Sequence, residues 1–184
     1  IALLCYNEDL IKKASSCPND YIVVVEERPE KIRSSAYMNV MSLNSNHPPT
    51  VFPHELGHVF AFLAEEYVPA RIPKNAKNCV DACEKFLGKE DKCSQGCSKA
   101  EYFRSIEDGV MRTLSSNLFG KFNEEILLNR IIEETSLKSP ITGRAVQEPI
   151  DCKKEKYVLL KGLYSQRKMQ IIDKTIEYGC LGKN

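Results

Sequence analysis

The chain has 184 residues, a length that suits one compact domain, and 42% of them are hydrophobic, which is enough for a buried core. Charged residues make up 28% of the chain and leave a formal charge of only +1, so the composition favours neither nucleic acid nor an anionic membrane as a partner. No apolar run reaches the ~20 residues that a membrane-spanning helix needs, and the composition leaves the oligomeric state open.

The N-terminal part of the sequence predicts three strands and one short helix. The strands are expected over residues 1–6, 21–27 and 34–43, and the helix over residues 7–16. The segment 21–27, YIVVVEE, is the clearest strand because β-branched apolar residues dominate it. The stretch NSNHPP then breaks the pattern, so His47 is expected to be a loop residue rather than a metal ligand.

The rest of the sequence alternates between helical, cysteine-rich and β-rich segments. An apolar helix is predicted from Thr50, followed by a polar and irregular insert over roughly residues 70–100. The segment NEEILLNRIIEE, residues 123–134, has the spacing of an amphipathic helix, and residues 138–149 predict a linker. The tail alternates in a β-rich pattern on both sides of Gly162, which predicts a hairpin.

The eight cysteines are the second global feature of the sequence. An even and high count predicts a disulfide framework and a secreted or extracellular protein. Four of them form two C-x-x-x-C pairs in the insert, a spacing that fits either a four-thiolate zinc site or two disulfides in a short helical hairpin. Disulfides are favoured because the other cysteines also need partners and nothing indicates a reducing compartment. The four residues, whose connectivity the spacing leaves open, are Cys79, Cys83, Cys93 and Cys97.

The segment TVFPHELGHVFAFLAEEY, residues 50–67, predicts a helix with two different faces. Thr50 is a suitable N-cap, and Pro53 fits the first helical turn. An apolar stripe is expected to pack on the core, and it consists of Leu56, Val59, Phe60 and Leu63. The opposite face is expected to be open, with the small residues Gly57 and Ala61 leaving room beside it.

That open face carries a pattern typical of zinc enzymes, His-Glu-x-x-His. His54 and His58 stand one helical turn apart, so both imidazoles can bind one Zn2+ ion. Glu55 lies beside the first histidine and is placed to take a proton from zinc-activated water. The pattern therefore predicts a zinc-dependent hydrolase, in which Glu55 is a base rather than a ligand.

A catalytic zinc ion usually has three protein ligands, so one more is needed. Glu65 shares the histidine face, but on a straight helix it would lie ~10 Å beyond His58 along the axis. It reaches the metal only if the helix ends near residues 61–64 and the chain turns back. Glu66 is the alternative if a turn brings it round instead. Carboxylates from later segments are a further option, namely Glu101 or Glu107.

In HELGHVFAFLAEEY the sequence resembles the bacterial IgA-peptidase-like metallopeptidases, which belong with the metzincin-like zincins. In that family His-Glu-x-Gly-His is followed by an Asp-Glu-Tyr element. The resemblance implies that His54 and His58 are zinc ligands and that Glu55 is the general base. It also implies that Glu65, the first acid of the EEY element, is the third ligand, and it aligns Tyr67 with the tyrosine of that element.

The resemblance also implies a fold and a floor for the site. SIEDGVMRTL is similar to the turn that places a methionine beneath the zinc, so Met111 is expected there. Ala61 stands where metzincins carry a glycine at the helix end, and Glu65 replaces the aspartate. The implied architecture is α+β and zincin-like, with a twisted sheet, an active-site helix and a disulfide-rich insert. Residues 1–140 would form the peptidase domain and residues 141–184 a β-rich extension of the same unit.

The function that follows is zinc-dependent endopeptidase activity on a peptide or protein substrate. The strand around residues 34–43 is expected to edge the cleft, where a substrate could add as a further strand through backbone hydrogen bonds. Tyr67 is a candidate stabiliser of the transition state. The alternative is a secreted, disulfide-stapled zinc-binding or interaction module without catalytic activity.

Overall fold

The computed structural model describes residues 1–15, 19–86, 92–136, 157–161, 168–172 and 181–183. Helices and strands both occur in these ranges, which confirms the predicted α+β class. The chain divides into two compact units, one made of Ile1–Glu55 and Gly143–Asn184 and the other of Leu56–Thr142.

The first unit begins with strand β1 (Ala2–Leu4) and helix α1 (Glu8–Ala14), as the sequence predicts. The helix starts after Asn7, whose side-chain oxygen accepts a hydrogen bond from the Leu10 amide at 2.8 Å. Buried side chains from this region form one hydrophobic cluster, which contains Leu3, Cys5, Ala14, Ile22, Val24 and Val40.

A mixed five-stranded sheet forms the body of the first unit. Its strands are β2 (Ile22–Glu26), β3 (Ser35–Tyr37), β4 (Val40–Asn44), β7 (Tyr157–Lys161) and β8 (Lys168–Ile172). Their order is β3-β4-β2-β8-β7, with β2 parallel to β4 and β8 and with antiparallel outer pairs. Strand β9 (Leu181–Lys183) pairs with β1 in a separate two-stranded sheet. The β7–β8 pair agrees with the hairpin predicted for the tail, although Gly162 itself lies outside the described residues.

The prediction of a single strand over residues 34–43 is wrong, because this segment forms the β3–β4 hairpin. Tyr37 pairs with Val40, so only Met38 and Asn39 connect the two strands. Met38 has a φ of 54°, the left-handed backbone that two-residue hairpin turns require. The sequence lacks the Asn-Gly or Asp-Gly signal of such turns, which is why the pattern indicated one continuous strand.

The second unit starts inside helix α2 (Val51–Ala61) and is built from short elements. These are a 3-10 turn (Cys83–Phe86), β5 (Ser94–Cys97), β6 (Lys99–Arg104) and α3 (Lys121–Ser136). Helix α3 confirms the helix predicted over residues 123–134. The insert contains the antiparallel β5–β6 hairpin rather than the irregular structure expected, and the chain turns at Ser98 with a φ of 59°. One core cluster contains Ala61, Leu63, Val110 and Met111, packed against Phe60, Phe119, Ile126 and Leu127.

The cysteines of the insert form two nested disulfides, which confirms the prediction of disulfides over a four-thiolate zinc site. Cys79 is bonded to Cys97, with Cα atoms 5.3 Å apart, and Cys83 to Cys93, with Cα atoms 5.6 Å apart. The bridges therefore link the two C-x-x-x-C pairs to each other instead of closing each pair. Cys5 is also disulfide-bonded, and the remaining three cysteines lie outside the described residues.

Two further predictions concern what connects or surrounds these units. None of the helices in the described ranges combines the length and the apolar character that crossing a membrane requires. The linker predicted over residues 138–149 lies outside the described residues.

We predict that digestion of the unreduced protein releases one peptide pair joined through Cys79 and Cys97 and another joined through Cys83 and Cys93. The bridges span 18 and 10 residues, for which loop-closure entropy gives about 3 kcal/mol of stabilisation each. Peptide mass mapping tests the pairing, and denaturant unfolding of each Cys→Ala double variant tests the energy. Links within either C-x-x-x-C pair, or free thiols with zinc bound to them, would contradict the nested pattern.

Candidate metal centre

Two consecutive prolines, Pro48 and Pro49, lie just before helix α2, with Thr50 between them and the helix. The amides of Val51 and Phe52 donate to the two proline carbonyls, at 2.9 and 3.1 Å. Thr50 immediately precedes the helix, and its carbonyl accepts a hydrogen bond from the His54 amide at 3.2 Å. These bonds give partners to amides that the start of a helix leaves without an intrahelical acceptor. The helix therefore starts where the sequence predicts.

Helix α2 ends at Ala61, and the chain reverses immediately afterwards. Phe62 has a left-handed backbone with a φ of 55°, and the Leu63 amide donates to the Gly57 carbonyl at 3.1 Å. This early end is the condition under which Glu65 can reach the histidines. The left-handed residue is a phenylalanine, one position after the alanine that replaces the glycine of the resembling family.

The reversal brings three predicted ligands together. One donor atom from each of His54, His58 and Glu65 lies within 4.8 Å of the others. His58 Nε2 and Glu65 Oε1 are 3.3 Å apart, close to the spacing of about 3.4 Å between two ligands of a tetrahedral zinc ion. Imidazole and carboxylate are also the donor types of many catalytic zinc sites. The chemistry and spacing of these residues therefore fit a zinc ion.

The second nitrogen of His58 sets the orientation of its ring. Nδ1 lies 2.6 Å from the Leu63 carbonyl oxygen, which only accepts hydrogen bonds, so Nδ1 carries a proton. Neutral His58 then directs a lone pair on Nε2 toward the Glu65 carboxylate. Two facing lone pairs repel unless a proton or a cation lies between them. The arrangement therefore fits either an ion pair with protonated His58 or a pair of ligands on one cation.

The histidine face of the helix is less open than the sequence predicts. His54 is 8% exposed and Glu55 is 4% exposed. The side chains of His58 and Glu65 remain accessible, at 19% and 23% exposure. The expectation that both imidazoles face solvent is therefore corrected for His54. Partial burial strengthens electrostatic interactions at the site because less water screens them.

Met111 is fully buried and packs against helix α2 at Gly57. It belongs to a tight turn in which the amides of the next two residues donate to the Gly109 carbonyl, at 2.9 and 3.0 Å. A Cβ atom on Gly57 would lie only 2.7 Å from the Met111 sulfur. Because Gly57 and Ala61 are small, core side chains pack closely against the helix at these positions. This corrects the expectation that the two residues leave room beside the predicted ligands.

The segment that carries the third ligand, residues 63–66, is anchored through its backbone at every residue. Leu63 makes the two bonds described above. The Ala64 amide donates to Asn78 Oδ1 at 2.7 Å, and the Ala64 carbonyl accepts from Asn78 Nδ2 at 2.9 Å. The Glu65 carbonyl accepts from Ser98 Oγ at 2.7 Å. The Glu66 amide donates to the Met111 carbonyl at 2.9 Å. The path of this segment is therefore set without any contribution from a metal.

Glu66, the alternative ligand, points into a different environment. Its side chain is 0% exposed, and Oε1 accepts hydrogen bonds from Asn78 Nδ2 at 3.1 Å and from Asn123 Nδ2 at 2.8 Å. It is not part of the ligand cluster. Burial lowers the pKa of the nearby Arg104 guanidinium, and the charge of Glu66 is among those that oppose this lowering. Of the two adjacent acids, the structure thus brings Glu65 to the histidines and holds Glu66 in the interior.

The sequence singles out four further residues. Tyr67 is half-buried and directly follows Glu66. The ring nitrogens of His47 lie 3.1 Å from a serine hydroxyl and 3.0 Å from a backbone carbonyl, as befits a structural loop residue. Glu101 on β6 and Glu107 are both exposed. His47, Glu101 and Glu107 do not belong to the ligand cluster found among the described residues.

The chain matches no protein-family model and no curated protein sequence. The interpretation of this centre therefore depends on the geometry of its own residues. The likeness to the IgA-peptidase-like family stays a hypothesis based on the motif.

Sequence reasoning did not find the residues that hold the third ligand in place. Asn78 and Ser98 bond to the backbone of residues 64 and 65 across separations of 14 and 33 residues. No periodicity connects positions so far apart. The one local signal is that each lies beside a cysteine of the same disulfide.

We predict that Phe62→Gly gives a more stable protein than Phe62→Ala. Both changes remove a ring that is 40% exposed and lies 5.3 Å from the Arg130 guanidinium. Only glycine adopts the φ of 55° without a Cβ penalty, so the difference should be about 1 kcal/mol in the free energy of unfolding. Denaturant unfolding measures it. Equal stability of the two variants would show that the turn is unstrained.

Proposed function

We propose that this protein is a zinc-dependent endopeptidase, with His54, His58 and Glu65 as zinc ligands and Glu55 as general base. The observation that supports it best is the convergence of three donor atoms within 4.8 Å at the end of one helix. An acid and a histidine often meet by chance on a surface. Here His54 is buried, His58 is oriented by a second hydrogen bond, and the backbone of Glu65 is anchored.

In the proposed site, the metal and its protein ligands have different roles in peptide hydrolysis. When bound, zinc would polarise the carbonyl of the scissile peptide bond and lower the pKa of water to ~7. The three residues His54, His58 and Glu65 would hold the ion, which is the number of protein ligands typical of catalytic zinc sites. The hydrogen bond from His58 Nδ1 to the Leu63 carbonyl leaves Nε2 as the nitrogen that would bind the metal and makes it more basic.

Glu55 has a role that differs from the ligands. It follows His54 on helix α2, is 4% exposed, and lies outside the ligand cluster. A carboxylate in this place can accept a proton from the attacking water and deliver it to the leaving amine nitrogen. This transfer makes Glu55 the catalytic residue of the proposed reaction.

We extend the proposal to a zincin-like fold of the metzincin type. Its support is the early end of helix α2 and the packing of Met111 against Gly57, where the resemblance places a methionine. Tyr67 keeps its proposed role in stabilising the transition state. Strand β3 is the outer strand in the order of the five-stranded sheet, and the β3–β4 segment keeps its proposed role as the edge along which a peptide substrate adds through backbone hydrogen bonds.

We also propose that the enzyme is secreted and acts on extracellular peptides or proteins. The insert carries the bridges Cys79–Cys97 and Cys83–Cys93, and Cys5 is disulfide-bonded as well. Disulfides persist mainly in oxidising compartments, which supports this location.

We predict that Glu55→Gln keeps zinc but loses peptide hydrolysis. Glutamine preserves the size of the side chain yet cannot accept the proton of water, so the rate should fall by ~10²–10⁴. Zinc content and cleavage of a mixed peptide library are measured on the same sample. Full activity of the variant would remove Glu55 from the mechanism. Wild-type protein that binds zinc but cleaves no peptide would instead favour the non-catalytic binding module.

We predict that Glu65→Ala weakens zinc binding strongly and abolishes hydrolysis, because it removes one of three ligands. Glu101→Ala is the control, since this glutamate is exposed and stands outside the cluster. Competition with a chelator measures zinc affinity for both variants and the wild type. An unchanged affinity for Glu65→Ala would place the third ligand elsewhere in the chain.

A further inference from the structure

Asn78 holds the chain at the position just before the third ligand. Its side chain bonds both to the amide and to the carbonyl of Ala64, at 2.7 and 2.9 Å. The Asn78 carboxamide thus makes the same two hydrogen bonds with the Ala64 backbone that a residue of a neighbouring β-strand would make. Asn78 is 0% exposed, so water does not compete for these bonds.

Glu66 fixes the orientation of that carboxamide. The Asn78 Nδ2 group also donates to Glu66 Oε1, at 3.1 Å. Because a carboxylate only accepts hydrogen bonds, the nitrogen of Asn78 must face Glu66 and its oxygen must face the Ala64 amide. Glu66 therefore acts on the ligand segment through Asn78.

A second hydrogen bond holds Glu65 itself, and a disulfide joins the two anchors. Ser98 Oγ donates to the Glu65 carbonyl at 2.7 Å, and Ser98 is also 0% exposed. Asn78 directly precedes Cys79 and Ser98 directly follows Cys97, so the Cys79–Cys97 bridge links both anchors. The Cys79 sulfur lies 3.7 Å from the Glu65 carbonyl oxygen.

We propose that Asn78 is a positioning residue of the metal centre, which with Ser98 holds Glu65 in its ligand position before any metal binds. The inference rests on the proposed zinc site and deepens it. A segment that is free to move occupies the binding-competent arrangement only part of the time, and the apparent metal affinity falls by that fraction. Asn78 and Ser98 raise this fraction by fixing the backbone on both sides of the Glu65 Cα atom.

The test compares Asn78→Ala with Asn123→Ala. Asn123 is equally buried and donates to the same Glu66 oxygen, at 2.8 Å, but does not contact Ala64 in any described hydrogen bond. We expect Asn78→Ala to lower Zn2+ affinity by about 10–100-fold, as loss of groups that orient metal ligands commonly does. Asn123→Ala should change it by less than about threefold at a similar loss of thermal stability. Chelator competition well below both melting temperatures measures the affinities.

A second readout and a milder variant keep the inference testable if Asn78→Ala folds poorly. Ser98→Ala removes one hydrogen bond to the Glu65 carbonyl and should lower Zn2+ affinity by about fivefold. The visible absorption of Co2+-loaded protein should also change in Asn78→Ala, as we expect for Glu65→Ala too, and should stay as in the wild type for Asn123→Ala.

The outcomes separate this inference from the proposed function. Equal affinities for Asn78→Ala and Asn123→Ala, or a wild-type Co2+ spectrum in Asn78→Ala, would overturn the positioning role while leaving the zinc site intact. A wild-type protein that binds neither Zn2+ nor Co2+ would overturn the proposed function itself, and the positioning role with it.

Discussion

The candidate centre depends on one reversal of the backbone, at Phe62 and Leu63. If helix α2 continued, Glu65 would lie ~10 Å beyond His58 along the helix axis. The Leu63 amide bonds back to Gly57 and its carbonyl accepts from His58 Nδ1, so one residue both closes the helix and orients a ligand. The geometry of the proposed ligands is therefore a consequence of how the helix ends. A left-handed backbone at a phenylalanine is uncommon, which indicates that surrounding contacts enforce it.

Buried polar groups supply much of that enforcement. Glu66, Asn78 and Ser98 are each 0% exposed, and each would be costly to bury without hydrogen-bond partners. Their hydrogen bonds reach the backbone of the ligand segment or one another, so the cost is offset and the segment acquires one defined path. An apolar interior could give comparable stability, but it would not select the position of individual backbone atoms so closely. In the proposed metal centre, the polar interior would thus fix the position of Glu65.

The sequence predicts the parts of this structure that depend on local pattern. The start of helix α2, the spacing of His54 and His58, and the helix over residues 123–134 follow from periodicity and capping residues. The β3–β4 turn was not predicted because Met38 and Asn39 lack the glycine that usually marks such turns. The β5–β6 hairpin was not predicted because its strands lack an alternation of apolar and polar residues. The roles of Asn78 and Ser98 were not predicted for a different reason. Their hydrogen bonds join residues 14 and 33 positions apart, and local sequence patterns do not reveal contacts over such separations. The choice between the adjacent acids likewise depends on where the chain turns.

These separations also bear on the order in which the protein folds. Two of the ligands arise within a single helix, which forms in microseconds or less once conditions allow. The third is held by groups that arrive only after the chain has closed a long loop, and loop closure slows the formation of distant contacts. Because the Cys79–Cys97 bridge joins those groups, and bridge formation takes seconds to hours, oxidation should precede the capture of metal by a newly made chain. If the proposed zinc site is correct, a nascent molecule would thus have both histidine ligands long before Glu65 is held beside them.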